Sequence, residues 1–350
     1  MELIYGQEKK FVEFIGNLDE TDKIAIIAHN DMDGMVSALI AEKIIGKAEI
    51  IEFFDYKKDF LLGFVPSLKE KKIDKLICLD LNLENEYLNL KEIEKFADIL
   101  IIDHHRSKKD LNSERTVFLL TEKNDVASFA TYELFTKFQN LSELDFLVAI
   151  GVISDHSWDS HMDFISRIEK KYGFSKHQDI WNSKLGKFTT LLSNAHVYFK
   201  STSKPIYFFE NLRGIKKIED IEKLKKYSTE VEEEIEQLEN EFNEKKEKYL
   251  WGYLYKVATK FKVASIVVSK LSDLEKDKLF IIYGEREGNL IKINARRQDG
   301  KLDCSELLKK AVSGLKEGNA GGHIPASGAE IRKEDLDKFK ENLIKIMSKI

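Results

Sequence analysis

From residue 23 to about 120 the chain alternates short β-branched runs with stretches whose apolar residues recur every three or four positions. That is the pattern of parallel strands joined by crossover helices. Strands are legible at 23–29 (KIAIIAH), 48–54 (AEIIEFF), 75–81 (KLICLDL) and 99–105 (ILIIDHH), with a further one at 116–120 (TVFLL). Between the first two, Met35, Val36, Leu39, Ile40 and Ile44 fall at helical spacing and Gly46 supplies a stop, completing a βαβ unit. VASFATYELF and LSELDFLVAIGVISD, within 126–155, read as consecutive helices, the second apolar all round and therefore buried. Beyond Pro205 the apolar positions Val231, Ile235, Leu238 and Phe242 lie three or four apart among Glu and Lys, which predicts long solvent-washed helix ending near Tyr249. Such a stripe fits a connector packed on its own protein better than a coiled-coil seam, because it is only about two heptads long. From Phe261 strand-like runs return in VASIVVSKL, KLFIIYG and NLIKINARR. They are followed by a helix at SELLKKAV, a glycine-rich turn at GNAGGHIPASGA and a last helix from Lys333.

The expected fold is α/β: a parallel-sheet N-terminal domain with helices on both faces over 1–200, a helical linker over 201–255, and a smaller α/β domain over 256–350. Composition narrows the function. Lys and Arg total 56 against 61 Asp and Glu among 350 residues, a formal net charge of -5, so any nucleic-acid contact must come from a local patch. No apolar run approaches a membrane span, and charged residues interrupt the first fifteen positions where a signal peptide needs an apolar core, so a soluble, cytoplasmic chain with no membrane partner is expected. Cys78 and Cys304 are too few for a disulfide framework or a zinc knuckle and read as buried thiols.

The candidate chemistry sits at strand ends. In open parallel sheets ligands bind outside the carboxyl ends of the strands. Here the first strand runs into His29-Asn30-Asp31-Met32-Asp33-Gly34, the third ends at Asp80 and the fourth at Asp103-His104-His105. Any one of these could be a helix cap, a turn residue or a surface histidine. Together they deliver several carboxylates to one rim, where mutual repulsion is costly unless a cation lies between them. Asp155, ending the buried helix, adds a further carboxylate. His156, Asp159, His161 and Asp163 match no ligand spacing and read as solvated or outer groups. Mixed carboxylates and imidazoles suit Mn²⁺ or a related divalent ion, and five or more ligands leave room for two ions roughly 3.5–4 Å apart. Such a pair clamps a phosphoryl group and activates water, so phosphoester hydrolysis is the expected reaction.

These residues resemble the motifs of the DHH phosphoesterase superfamily, named for the triplet that stands here as Asp103-His104-His105. The resemblance runs from HNDMDG at 29–34 through Asp80, the triplet and Asp155 to NARR at 294–297 and GGHIPASGA at 321–329, which resembles the DHH-associated substrate-gripping domain. Overall length and the charged helix are most similar to the archaeal RecJ-like branch. The resemblance implies one metal on His29, Asp31 and Asp80 and a second on Asp33, Asp80, His104 and Asp155, with Asp80 bridging. It implies that Asp103 orients the triplet from outside and that His105 faces the scissile phosphate. Arg296, Gly321, Gly322 and His323 would hold substrate phosphate, and the ions would be two divalent cations, Mn²⁺ preferred and Mg²⁺ workable.

Two departures matter. Bacterial RecJ nucleases commonly carry aspartate where His29 stands, and alanine is commoner than Ser327 in the glycine turn. The implied activity is a single-strand exonuclease on DNA or RNA, releasing nucleoside monophosphates, with a role in DNA repair. The implied partners are single-stranded nucleic acid or short oligonucleotides and a replication or repair protein, for a chain acting as a monomer or dimer. A nanoRNase or small-nucleotide phosphatase (bisphosphate, dinucleotide or cyclic dinucleotide) is the alternative, and a non-catalytic replication scaffold the third reading.

Overall fold

Alternate residues of the central strands of the N-terminal half point to opposite faces of one sheet, and both faces are apolar. Ile26, Ala28, Ile77, Leu79, Leu100 and Ile102 enter one core, while Ala25, Ile27, Leu76, Cys78, Ile99 and Ile101 enter the other. Strands buried on both sides read as continuous hydrophobic runs, which is why they were legible. The computed structural model describes residues 2–55, 59–122 and 124–349. Its contacts divide the chain into two units, Met1–Ser228 and Thr229–Ile350.

In the first unit, β1 (Leu3–Tyr5) and α1 (Glu8–Gly16) precede β2 (Ile24–His29), α2 (Met32–Ile45) and β3 (Ile50–Phe54). Next come α3 (Phe60–Lys71), β4 (Lys75–Leu79), α4 (Tyr87–Ile93), β5 (Asp98–Asp103) and β6 (Thr116–Thr121). The helices α5 (Ala127–Phe135), α6 (Asp145–Ser154), α7 (Met162–Lys171), α8 (Lys184–Thr202) and α9 (Pro205–Arg213) follow. The strand order is β1-β6-β5-β4-β2-β3, all parallel except β1 against β6. The chain leaves β2 in one direction to reach β3 and returns on its other side as β4. The β2–β4 boundary is therefore the topological switch point, where open α/β sheets bind ligands. The three-residue β1 carries too little pattern to have been expected.

The second unit begins within α10 (Lys225–Lys245), whose first four residues belong to the first. It comprises β7 (Glu247–Tyr249), β8 (Gly252–Lys256), α11 (Ala264–Leu274), β9 (Leu279–Arg286), β10 (Leu290–Arg296), α12 (Cys304–Val312), β11 (Asn319–Gly322), β12 (Ala326–Arg332) and α13 (Leu336–Met347). The six strands form a mixed sheet in the order β11-β12-β10-β9-β8-β7. The stretch 201–255, expected as a linker, is not a separate body: α9 lies in the first unit, whereas β7 and β8 belong to the second sheet. The stripe of α10 packs on that sheet, with Phe242 ring centroids 5.5 Å from those of Tyr253 and Tyr255, and the Tyr255 hydroxyl donates to the Leu238 carbonyl.

Two expectations fail here. VASIVVSKL, expected as a strand, is helix α11, because Val267, Val268 and Leu271 bury one helical face and that periodicity outweighs β-branched propensity. The glycine-rich stretch expected as a turn is a hairpin, β11 and β12, closed by reciprocal backbone bonds between His323 and Ala326. Both cysteines are buried, as expected.

Candidate metal centre

Each motif residue is set by the end of an element. β2 ends at His29, and Asp31 caps α2 by accepting from the Gly34 amide at 3.0 Å. A side chain at Gly34 would place its Cβ 2.4 Å from the His29 carbonyl oxygen, so only glycine lets α2 start this close to the strand. Asp80 follows β4 with a left-handed backbone (φ 59°), a conformation aspartate tolerates, and its amide is anchored to the Ile102 carbonyl on β5. Asp103 is the last residue of β5, and Asp155 caps the carboxyl end of α6.

These ends converge on Asp80, which is 1% exposed. Its Oδ2 lies 3.6 Å from His29 Nδ1, itself 2.6 Å from Asp31 Oδ2. Its Oδ1 lies 3.2 Å from His104 Nε2 and 3.6 Å from His105 Nδ1. The two oxygens of one carboxylate thus face two different groups of donors. Within each group, His29–Asp31–Asp80 and Asp80–His104–His105, ligand atoms all lie within 4.8 Å of one another. Asp33 and Asp155 each stand 3.8 Å from His104 Nε2.

The electrostatics are those of crowded acids. Burial pushes Asp33 well above the usual carboxylate range, and the Asp80, Asp155 and Asp31 charges add to it. Burial, with Asp80 and Asp31, brings Asp155 to about 6. Desolvation opposes the charged form of His29 and His104, yet the surrounding carboxylates outweigh it and lift both rings to about 10. His105 is raised as well, against burial, chiefly by Asp103. Against desolvation, the His29 ring and the Gly34 amide hold Asp31 well below the usual range. Hard oxygen donors and imidazoles around buried negative charge fit a divalent first-row cation. The residues present can therefore hold metal, and the sequence motifs meet in one place.

Outer contacts fix this set. Asp103 Oδ1 accepts from the backbone amides of His104 (2.9 Å) and His105 (3.2 Å) and pairs with His105 Nδ1 at 2.8 Å, so it shapes the triplet and orients one ring. Asp33 is gripped by the amino end of α5, its oxygens accepting from the Ala127 and Ser128 amides at 2.8 and 2.9 Å. Gly151 of α6 allows this: a Cβ there would lie 2.5 Å from Ser128 Oγ and 3.5 Å from Asp33 Oδ1. Asn30 is held from α8, where His196 Nε2 donates to its Oδ1 at 2.9 Å and Lys200 reaches its carbonyl at 3.3 Å. Neither contact had a sequence signal, since 166 and 170 residues separate the partners. His161, expected as solvated or outer, is buried, bonded to the Ser157 carbonyl (2.9 Å) and to Asp125 (3.0 Å), away from the cluster. His156 packs against the Trp158 and Trp181 rings.

In the second unit Arg296, Gly321, Gly322 and His323 line one cavity of about 290 Å³ together with Asn294 and Ser327. Arg297 forks onto Asp299 at 2.8 and 2.9 Å, while Arg296 makes no ion pair among the described residues. Ser265, on the helix expected as a strand, also lines it and was missed for that reason.

Two family models match the chain: the DHH family N-terminal domain over residues 23–153 and the DHHA1 domain over residues 247–349. The chain belongs to the DHH phosphoesterase superfamily. Like other DHH proteins, it joins a parallel-sheet domain to a C-terminal DHH-associated domain. Superfamily membership makes it a hydrolase of phosphoester bonds. No curated protein matches the sequence significantly. Among solved structures, exonuclease RecJ bound to manganese is 14% identical with a TM-score of 0.71, covering 100% of this chain and 97% of that one. RecJ from Thermus thermophilus in complex with Mn²⁺ is 15% identical with a TM-score of 0.69, covering 100% of this chain and 56% of that one. CDC45 from Entamoeba histolytica is 11% identical with a TM-score of 0.67, covering 97% and 98%. At these identities the likeness is one of fold. No described helix is long and apolar enough to cross a membrane.

Proposed function

We propose that this DHH protein is a Mn²⁺-preferring phosphodiesterase that digests single-stranded DNA or RNA from an end and releases nucleoside monophosphates. The observation that carries the reading is the division of Asp80, one oxygen towards His29 and Asp31 and the other towards His104. A carboxylate so placed could serve two ions, one that His29 and Asp31 would hold with it and another that His104, Asp33 and Asp155 would hold with it. When bound, such ions supply charge stabilisation for the phosphoryl group and an activated water. The chain's own residues do the rest. Asp103 fixes the His105 ring through Nδ1, which leaves Nε2 as the atom that steadies or protonates the leaving oxygen. Arg296, His323 and the Gly321–Gly322 backbone are the proposed grip on substrate phosphate, with a planar guanidinium suited to two oxygens at once.

The manganese-bound exonuclease RecJ, similar over the whole chain, supports this reading. A net charge of -5 favours a second reading, a nanoRNase or small-nucleotide phosphatase, since it gives long strands no global attraction. Likeness to CDC45 brings a replication partner, or a scaffold role, within the same family picture. The deciding assay follows end-labelled DNA and RNA ladders with Mn²⁺. Single-nucleotide products over long strands support the exonuclease, and a rate that collapses beyond a few nucleotides supports the second reading. Asp80→Asn, which keeps the backbone conformation accessible, should lower the rate by more than roughly a hundredfold, beyond the loss of an outer contact, and should abolish Mn²⁺ binding by calorimetry. Full activity in that variant would overturn the metal mechanism.

A further inference from the structure

At the amino ends of the strands, away from the metal cluster, lies a cavity of about 830 Å³ among α2, β3, α9 and the start of α6. Its place follows from the elements. β3 lines it with Ile51 but ends at Phe54, the register partner of His29. α2, 14 residues and so about 21 Å long, has Asp31 at its amino end and brings Glu42 and Lys43 to the cavity near the other. The floor is apolar: Leu39, Leu144 and Ile215 are buried, while Ile51 and Ile206 remain half-buried. Apolar side chains lining a wet cavity are unfavourable, and a ligand body that removes them from water is stabilised by doing so. An apolar floor of this volume with a few polar groups at its edge has the make-up of a small-molecule site.

The charges at the mouth do not balance. Arg213 forks onto Glu42, and Lys43 meets Glu143 at 2.8 Å, so both acids that line the cavity are engaged. Lys47 and Lys216 line it as well. Both are exposed, and neither ammonium group makes an ion pair or hydrogen bond among the described residues. Four bases therefore meet two acids here, in a chain whose acids outnumber its bases.

We infer that this cavity binds a small amphiphilic anion, its carboxylate or similar head met by the Lys47 and Lys216 ammonium groups and its apolar body laid on Ile51, Ile206 and Ile215. The site is separate from the metal cluster and stands or falls without the phosphodiesterase reading. A neutral ligand would leave the two surplus cations uncompensated, and a cationic one would be repelled by them. An inorganic anion would leave the apolar floor wet. An aliphatic or an aromatic body suits that floor, and both carry the same head.

The test is titration calorimetry on the full chain without added metal, using two anions and their neutral counterparts: decanoate with decanol, and naphthoate with naphthol. At least one anion should bind at a single site and exceed its neutral counterpart in affinity by roughly tenfold, the scale of one charge-assisted hydrogen bond. Which anion binds identifies the kind of body. Lys47→Gln with Lys216→Gln should bring the anion down to the level of its neutral counterpart and leave the latter unchanged. Lys47→Arg with Lys216→Arg should keep most of the difference. Ile206→Gln should weaken anion and neutral counterpart alike. The lysines lie on the surface, so their variants decide the matter even where Ile206→Gln fails to fold. No binding of either anion, equal affinity for anion and neutral counterpart, or a difference that survives Lys47→Gln/Lys216→Gln would overturn the site, whatever the protein hydrolyses.

Discussion

Asn30, between two candidate ligands, is fixed by a histidine that burial keeps neutral. His196 is 6% exposed, and desolvation, helped by Lys200, pushes it down to about 4. The unfolded chain returns it to the ordinary value of 6.5, so between pH 6.5 and about 4 the unfolded state binds more protons and acid destabilises the fold. The full difference is on the order of 3 kcal/mol. Urea unfolding of the wild type and His196→Gln across pH 4–7.5 should show the wild type losing its advantage as pH falls. An advantage constant with pH would refute the neutral, buried assignment. Residue by residue, the ligand candidates were legible because a parallel strand announces its own carboxyl end, and His29, Asp80, Asp103 and His104 stand there. His196 and Lys200 were not, because a helix far along the chain carries no local mark of what it will touch.

Among elements, the crossing of α5 and α6 decides how Asp33 is held. Gly151→Ala should force Ser128 aside, cost about 1–3 kcal/mol through overpacking, and weaken Mn²⁺ binding because the Ser128 amide carries Asp33. Ser128→Ala in the same chain should recover part of the stability, measurable as a double-mutant cycle. Additive losses would mean that the two helices do not meet as described. The same scale explains what the pattern concealed. Continuous apolar strands and all-apolar α6 were unambiguous, whereas VASIVVSKL satisfies a strand by propensity and a helix by spacing, and its partners in the second sheet decide. Hairpin β11–β12 hides in a glycine-rich stretch because it gives the core only small or sparse apolar residues, Ala329 and Ile331 buried in it and Ala320 partly buried against it.

For the whole molecule, every candidate metal residue lies in the first unit and none in the second. Mn²⁺ at about a hundred times its dissociation constant should therefore stabilise the first unit by about 2.7 kcal/mol. Calorimetry should show its transition moving up while that of the second unit stays; equal shifts in both would show that the ion is held elsewhere or that the units unfold as one. The strand order adds a consequence for biosynthesis. His29 and Asp31 leave the ribosome first, but the switch point closes only when β4 is inserted beside β2, and His104 and Asp155 arrive later still. A nascent chain thus offers no complete cage to passing cations until Asp155 has been made, and metal capture would report that the strand ends have already met α6 rather than guide their meeting.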